Sequence, residues 1–350
     1  MSILPDHSKV AEIAGSVVIP RFALRVEKDQ TMRHLLCRRS FLKTTGLGAA
    51  GLVLGFQGTG CARGDETSPE PAIEGVPPSA TSVSSDGRVR AEQLGWRLGC
   101  QAYTFRSFSF FEAVEKTAAS GMGYIEAYPG QTLGKGASGT RMDVGLGPAE
   151  RQEIKARLDA AGVKLVNFGV CRLVKDEDDS RKTFDFAKEM GIETLVAEPP
   201  EDAFDTLDKL CNEYQINLAI HNHAKPTHYW DYRTVLAVCK GRSPRIGACG
   251  DTGHWMRSGI QPLEALKALE GRMVSLHLKD LNEFGKQSAY DVPWGTGKAN
   301  VRELLEELRR QKFQGVFSVE YEHNTPELME NVGRCARYFD GVVSELALRR

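Results

Sequence analysis

An excess of charge of either sign is missing from this sequence. Its 45 lysines and arginines stand against 46 aspartates and glutamates, a formal net charge of −1 over 350 residues. A chain so balanced sets up no long-range field that draws in nucleic acid or an anionic membrane surface, so a small molecule is the expected partner. No two of the eight cysteines form a C-x-x-C pair, which leaves no thiolate pattern for a structural zinc. Cys100, Cys171 and Cys249 fall inside apolar, strand-like runs, where a free thiol behaves as a small hydrophobe. The apolar stretch 44–56 is too short and too rich in glycine for a permanent membrane span. No G-x-G-x-x-G opens a helix after the first predicted strand, which speaks against a dinucleotide site.

What is present divides the chain into a leader (1–61), a linker (62–92) and one folded domain (93–350). Arg38-Arg39-Ser40-Phe41-Leu42-Lys43, followed by the Gly-rich stretch, resembles a twin-arginine export signal. Met32 is an alternative start for such a signal, and Gly58-Thr59-Gly60-Cys61 loosely matches a lipoprotein box, leaving a lipid anchor at Cys61 open. Between Ala62 and Arg90 the Pro, Ser, Gly, Thr and Glu run has too little apolar surface to order itself. An exported or periplasmic location follows, reached through the twin-arginine machinery, which passes folded and metal-loaded proteins. Replacing Arg38 and Arg39 with Lys is expected to hold the protein in the cytoplasm; unchanged periplasmic recovery would refute the signal.

From Trp96 onward, short apolar runs alternate with amphipathic helical segments, the pattern of parallel βαβ units. Strands are predicted near 97–103, 123–128, 163–169, 194–198, 217–223, 245–251, 273–280 and 315–322, with helices at 110–120, 150–161, 181–190, 202–214, 231–240, 262–270, 301–311 and 326–345. Eight units in order, without two-residue hairpin turns, favour a closed (β/α)8 barrel, an α/β fold, over an open doubly wound sheet.

In such a barrel alternate strand residues face inward, and chemistry sits at the strands' C-terminal ends. Leu218 and Ile220 suit the helix-facing side, which turns His221 and His223 inward. The same parity turns Asp251, then His277 and Lys279, then Ser318, Glu320 and Glu322 inward on the next three strands. His221, Asp251, His277 and Glu320 therefore converge on one rim. Six of the eight histidines lie between 221 and 323, in the half that carries it. Imidazole and carboxylate donors suit one divalent ion, Mn2+ favoured, with Zn2+, Co2+, Fe2+ or Mg2+ open.

His221-Asn222-His223, Asp251-Thr252-Gly253-His254-Trp255, Ser275-Leu276-His277-Leu278-Lys279-Asp280, Pro293-Trp294-Gly295-Thr296-Gly297 and Ser318-Val319-Glu320 together resemble the xylose isomerase-like superfamily, in its sugar phosphate isomerase/epimerase branch. The likeness covers roughly 96–345. In ketose 3-epimerases of that superfamily a Glu, an Asp, a His and a second Glu hold one metal, and the glutamates exchange protons with the substrate. The resemblance carries the Asp, His and last Glu to Asp251, His277 and Glu320, while His221 takes the first Glu's place. A ligand is kept and one acid/base group is lost. The endonuclease branch needs a further Asp-x-His where this chain reads Asp291-Val292-Pro293, and is not expected.

Glu198, inward at the end of the fourth strand, is a candidate for the missing proton-transfer group. Lys279 is placed to hold an oxygen on which enolate charge develops. Glu126, Tyr128 and Gln131 are expected to meet sugar hydroxyls, His223 and His254 to bind substrate or orient ligands, and Trp294 to form an apolar wall against a sugar face. Asn300 and Glu303 read as a capping box. The expected activity is proton abstraction alpha to the carbonyl of an unphosphorylated sugar, giving isomerisation or epimerisation. A keto-glycoside lyase or keto-sugar hydratase on the same site, and a non-catalytic carbohydrate-binding protein, are the alternatives.

Overall fold

Inward and outward alternation along eight short strands closes the sheet on itself. The computed structural model describes residues 85–134 and 139–348. The Arg38-Arg39 signal, Cys61 and most of the expected linker lie outside the described residues. The strands are β1 (Trp96–Gln101), β2 (Tyr124–Ala127), β3 (Lys164–Cys171), β4 (Thr194–Ala197), β5 (Asn217–His221), β6 (Ile246–Asp251), β7 (Met273–Leu278) and β8 (Gly315–Val319). Each pairs in parallel with its sequence neighbour, and β8 closes on β1 with Trp96 opposite Gly315 and Cys100 opposite Val319.

Local chemistry starts and stops the surrounding helices. Ser109 and Glu112 form a reciprocal capping box at α2 (Phe110–Ala119), and Asp176 caps α4 (Glu177–Met190) through the Asp179 amide. Gly191 ends α4 in the left-handed region at φ 72°, a conformation that a Cβ would penalise. Leu195, Leu218, Ile220, Leu276, Leu278 and Phe317 point away from the barrel axis into the helix layer and are fully buried, each such side chain contributing roughly 1.5–3 kcal/mol. Inside the barrel, Val196, Ala219 and Cys249 pack together with Val170 and Val274, and Tyr124, Val166 and Val316 form a second apolar group. These two groups fill the barrel interior beneath the polar rim.

Several boundaries differ from expectation. The C-terminal end of the expected linker is helix α1 (Ser85–Gln93), tied to the domain by Arg90 Nη1 to Ser344 Oγ at 2.9 Å and by the Tyr124 hydroxyl to Glu92 Oε1 at 2.9 Å. The seventh strand stops at Leu278 because Asp280–Leu281 turns to pair antiparallel with Asp291–Val292. A short helix, Thr252–Arg257, follows β6 directly. Asn300 precedes the helix Val301–Arg310 with φ 56° and makes no side-chain cap, so the capping box with Glu303 does not form. A capping side chain normally reaches the first-turn amides from an extended backbone, which Asn300 lacks.

Candidate metal centre

His221 and Asp251 end β5 and β6, His277 lies one residue inside the end of β7, and Glu320 follows β8. Register sets His221 beside Cys249, Asp251 beside His277 and His277 beside Ser318, so each ligand lies level with the next or one inward step of two residues from it, at the same end of the barrel. One donor atom from each lies within 4.8 Å of all the others, and all four residues are buried. His277 Nδ1 is 3.0 Å from Glu320 Oε2, and His221 Nε2 is 3.6 Å from Asp251 Oδ2. Asp251 Oδ2, His277 Nδ1 and Glu320 Oε2 are buried without a hydrogen-bond partner. A buried polar atom without a hydrogen bond costs about 1–3 kcal/mol, and although the Lys279 ammonium ion-pairs with the two carboxylates, the convergence of the three atoms suits a further cation.

The remaining atoms of these side chains are held from behind. Glu126 Oε1 accepts from His277 Nε2 and from Gln101 Nε2, both at 2.9 Å, and Oε2 accepts from Asn167 Nδ2 and Ser318 Oγ at 3.2 Å. That carboxylate sets the His277 tautomer and turns Nδ1 toward the cluster. Glu198 Oε1 meets His221 Nδ1 at 2.9 Å and also His223 Nδ1, aiming His221 Nε2 inward. Asp251 divides its carboxylate: Oδ1 accepts the His254 amide at 2.7 Å as the cap of the short helix, leaving Oδ2 for the centre. Asn222 clamps the two strand ends together by accepting the Asp251 amide at 2.8 Å and donating to the Asp251 carbonyl at 3.0 Å.

Electrostatics agree with this geometry. Burial alone would lower both ligand imidazoles, yet the hydrogen bonds of Asp251 and Glu198 lift His221 to about 9, and Cys249, Glu126 and Glu320 lift His277 well above its ordinary value. Burial would raise Asp251 and Glu320, but His254 and Lys279 around the first and Lys279 and His277 around the second hold both carboxyls low. A divalent cation displacing two imidazole protons leaves the local charge unchanged while satisfying the unpartnered atoms. Two imidazoles and two carboxylates, without thiolate, fit a borderline or hard divalent ion. His254 is pushed well below its usual range, by burial first and then by Lys279 and His221.

Above the centre opens a cavity of about 360 Å3, lined on one side by His223, His254, Glu320 and Glu322 and on the other by Tyr103 and Tyr128. His223, His254 and Tyr128 thus stand where substrate contacts were expected. Five other residues do not. Glu126 is 1% exposed with all four of its bonds inside the barrel, beneath the centre. Gln131 is buried and donates to the Phe105 and Phe108 carbonyls. Trp294 is a core residue that donates to the Leu278 carbonyl at 3.2 Å and packs on Phe339. Glu198 lies behind the imidazoles with its Oε1 shared between His221 Nδ1 and His223 Nδ1, and it does not line the cavity, so it has no path to a substrate carbon. The Lys279 ammonium is fully buried 2.9 Å from Asp251 Oδ2 and 3.0 Å from Glu320 Oε2, out of hydrogen-bonding line with either, and contacts Glu322 Oε1. Its stem lies against Gly253, where a Cβ would come within 2.8 Å, so it balances carboxylates instead of reaching into the cavity.

Gln101 and Tyr103 line the cavity without having been anticipated. Inward parity along β1 would have found Gln101, which stands opposite Glu126 in the register. Tyr103 lies in a 3-10 turn, Ala102–Phe105, where strand parity no longer applies.

Comparison with known proteins agrees with this architecture. No curated protein sequence matches the chain. Among solved structures, an uncharacterised protein from Parabacteroides distasonis ATCC 8503 is 32% identical, with 70% of this chain and 98% of that one covered and a TM-score of 0.57. A D-tagatose 3-epimerase-like protein shares 19% identity over 71% and 99% of the two chains at a TM-score of 0.56. The 3-keto-D-glucoside 4-epimerase YcjR of E. coli shares 14% over 70% and 98% at 0.53. The last two identities establish likeness of fold alone. The family described as "Xylose isomerase-like TIM barrel" matches residues 114–338, well over half of the sequence, and the chain, with its closed eight-stranded barrel, belongs to that family.

Proposed function

We propose that the protein is a divalent-metal-dependent enzyme that removes a proton alpha to the carbonyl of an unphosphorylated sugar. The observation that carries this reading is the convergence of Asp251 Oδ2, His277 Nδ1 and Glu320 Oε2, all buried and none hydrogen-bonded, with His221 at the floor of an open cavity. With His221 Nε2 they would hold the ion, Mn2+ being favoured. When bound, the ion supplies Lewis-acid polarisation of a carbonyl oxygen and stabilises the negative charge that develops there. Glu320 lines the cavity and is the base. Among the described residues, Glu320 and Glu322 are the carboxylates lining the cavity, so a second proton position falls to Glu322 or to neutral His254 beside it.

Two outcomes share the first step. Returning the proton gives isomerisation or epimerisation, whereas losing a β-substituent gives a lyase and the reverse a hydratase. Protein loaded with Mn2+ and incubated in D2O with unphosphorylated ketoses and keto-glycosides is expected to place solvent deuterium at the carbon beside the carbonyl, read by NMR. An epimerase otherwise conserves substrate mass; a lyase or hydratase changes it by an aglycone or a water. Neither exchange nor mass change across the panel would leave a carbohydrate-binding protein as the better reading. Export through the Arg38-Arg39 signal, proposed on sequence alone, is consistent with an unphosphorylated substrate pool.

A further inference from the structure

The cavity has two unlike walls. Its β5 to β8 side presents imidazoles and carboxylates, from His221 to Glu322, while its β1 to β3 side presents Tyr103, Tyr128, Pro129 and Val170 with Gln101 and Gly169. The hydroxyl edges of a sugar find their partners on the first side, while the second offers ring faces and aliphatic surface on which another ring can lie. The wall is also built in place. The Tyr103 and Tyr128 rings meet edge to face with centroids 5.3 Å apart and planes at 78°. Tyr103 donates its amide to Gln101 Oε1 at 3.0 Å, and Gln101 is itself fixed by Glu126 and the Gly169 carbonyl. The Arg106 guanidinium lies 5.1 Å over the Tyr103 ring and is tied to the Glu322 carbonyl at 2.7 Å, bridging the tyrosine to the metal-side rim. Tyr103 nevertheless remains 40% exposed. A ring contacted by Tyr128 and Arg106, on a backbone anchored by Gln101 and still open to solvent, is restricted in advance, which is what a preformed stacking surface requires.

We propose that Tyr103 and Tyr128, with Pro129 and Val170, form an outer subsite that takes a second ring joined to the reacting sugar, the aglycone of a glycoside. The subsite rests on the reading of the cavity as a sugar site, and it favours glycosides over free ketoses. Aromatic stacking of this kind is worth about a tenfold gain in affinity.

The test is binding without turnover. Phenyl and methyl glycosides of glucose, galactose, mannose and xylose, which carry no carbonyl, are titrated calorimetrically into the full-length Mn2+-loaded protein. At least one phenyl glycoside is expected to bind about tenfold more tightly than its methyl counterpart. In Tyr103→Ala that gap is expected to close to within about twofold, and in Tyr103→Phe, which keeps the ring, to persist. Tyr103 is exposed, so its truncation opens no core cavity. Equal binding of phenyl and methyl glycosides across the panel, absent binding included, overturns the subsite, as does a gap that survives Tyr103→Ala. Deuterium exchange separates the two readings: a phenyl preference without exchange on any ketose or keto-glycoside keeps the subsite and rejects the chemistry, whereas exchange without a phenyl preference does the reverse.

Discussion

Replacing His277 with Ala is expected to weaken metal binding by a hundredfold or more, read as loss of occupancy in metal analysis and in chelator competition. Four-donor structural zinc sites bind with roughly 10–16 kcal/mol, which sets the loss of one donor of four on the order of 3 kcal/mol, where each 1.4 kcal/mol is tenfold. The deletion strikes a fully supported ligand, since His277 is bracketed by Glu126 at Nε2 and Glu320 at Nδ1. It also strips Glu126 of one of its four donors, so the variant loses some fold stability whatever its affinity. The two effects are separable: metal raises the melting temperature of the wild type by linkage and should leave that of His277→Ala nearly unmoved. Glu126→Gln, which keeps His277 but weakens the group that orients it, should cost only about 10–100-fold in affinity. Full occupancy in His277→Ala would exclude that residue as a ligand.

The second large effect concerns proton transfer. Glu320→Gln keeps the shape of the side chain and one oxygen donor but cannot accept a proton, so solvent exchange at the substrate carbon should fall by about 10³-fold while the ion is retained. Glu320 suits the role because it lines the cavity, which Glu198 does not, and because Lys279 and His277, against its burial, keep it ionised. Glu198→Gln should behave differently. Glu198 serves the imidazoles of His221 and His223, so its loss is expected to lower metal affinity about 10–100-fold and to spare exchange once metal is saturating. Exchange at wild-type rates in metal-loaded Glu320→Gln would remove Glu320 as the base. A Glu198→Gln variant that is saturated with metal but has lost exchange would return Glu198 to the proton pathway.

The barrel was legible in the sequence because its determinants are local. Alternation of apolar and polar residues sets which face of a strand points inward, and Gly162 and Gly191 mark where helices must stop. That same alternation put His221, Asp251, His277 and Glu320 on inward faces of four successive strands. Closure of the sheet then follows from eight repeated units.

Only the tertiary structure decided which of the inward polar groups reach the cavity and which are spent in support. Parity assigns a face to Glu126, Glu198 and Lys279 but cannot say how high each stands or what meets it, since that depends on barrel curvature and on side chains from distant strands. Glu126 is taken by His277, 151 positions away, and Lys279 by Asp251, Glu320 and Glu322. Trp294 and Gln131 lie in connections where no periodicity applies, and their placement follows from the Leu278, Phe105 and Phe108 carbonyls that accept their protons. Tyr103 entered the cavity wall for the same reason in reverse, a turn after β1 carrying it to the mouth. Periodic order is dictated by neighbours along the chain and can be read there, whereas the pairing of buried charges is a competition among groups brought together only when the barrel closes.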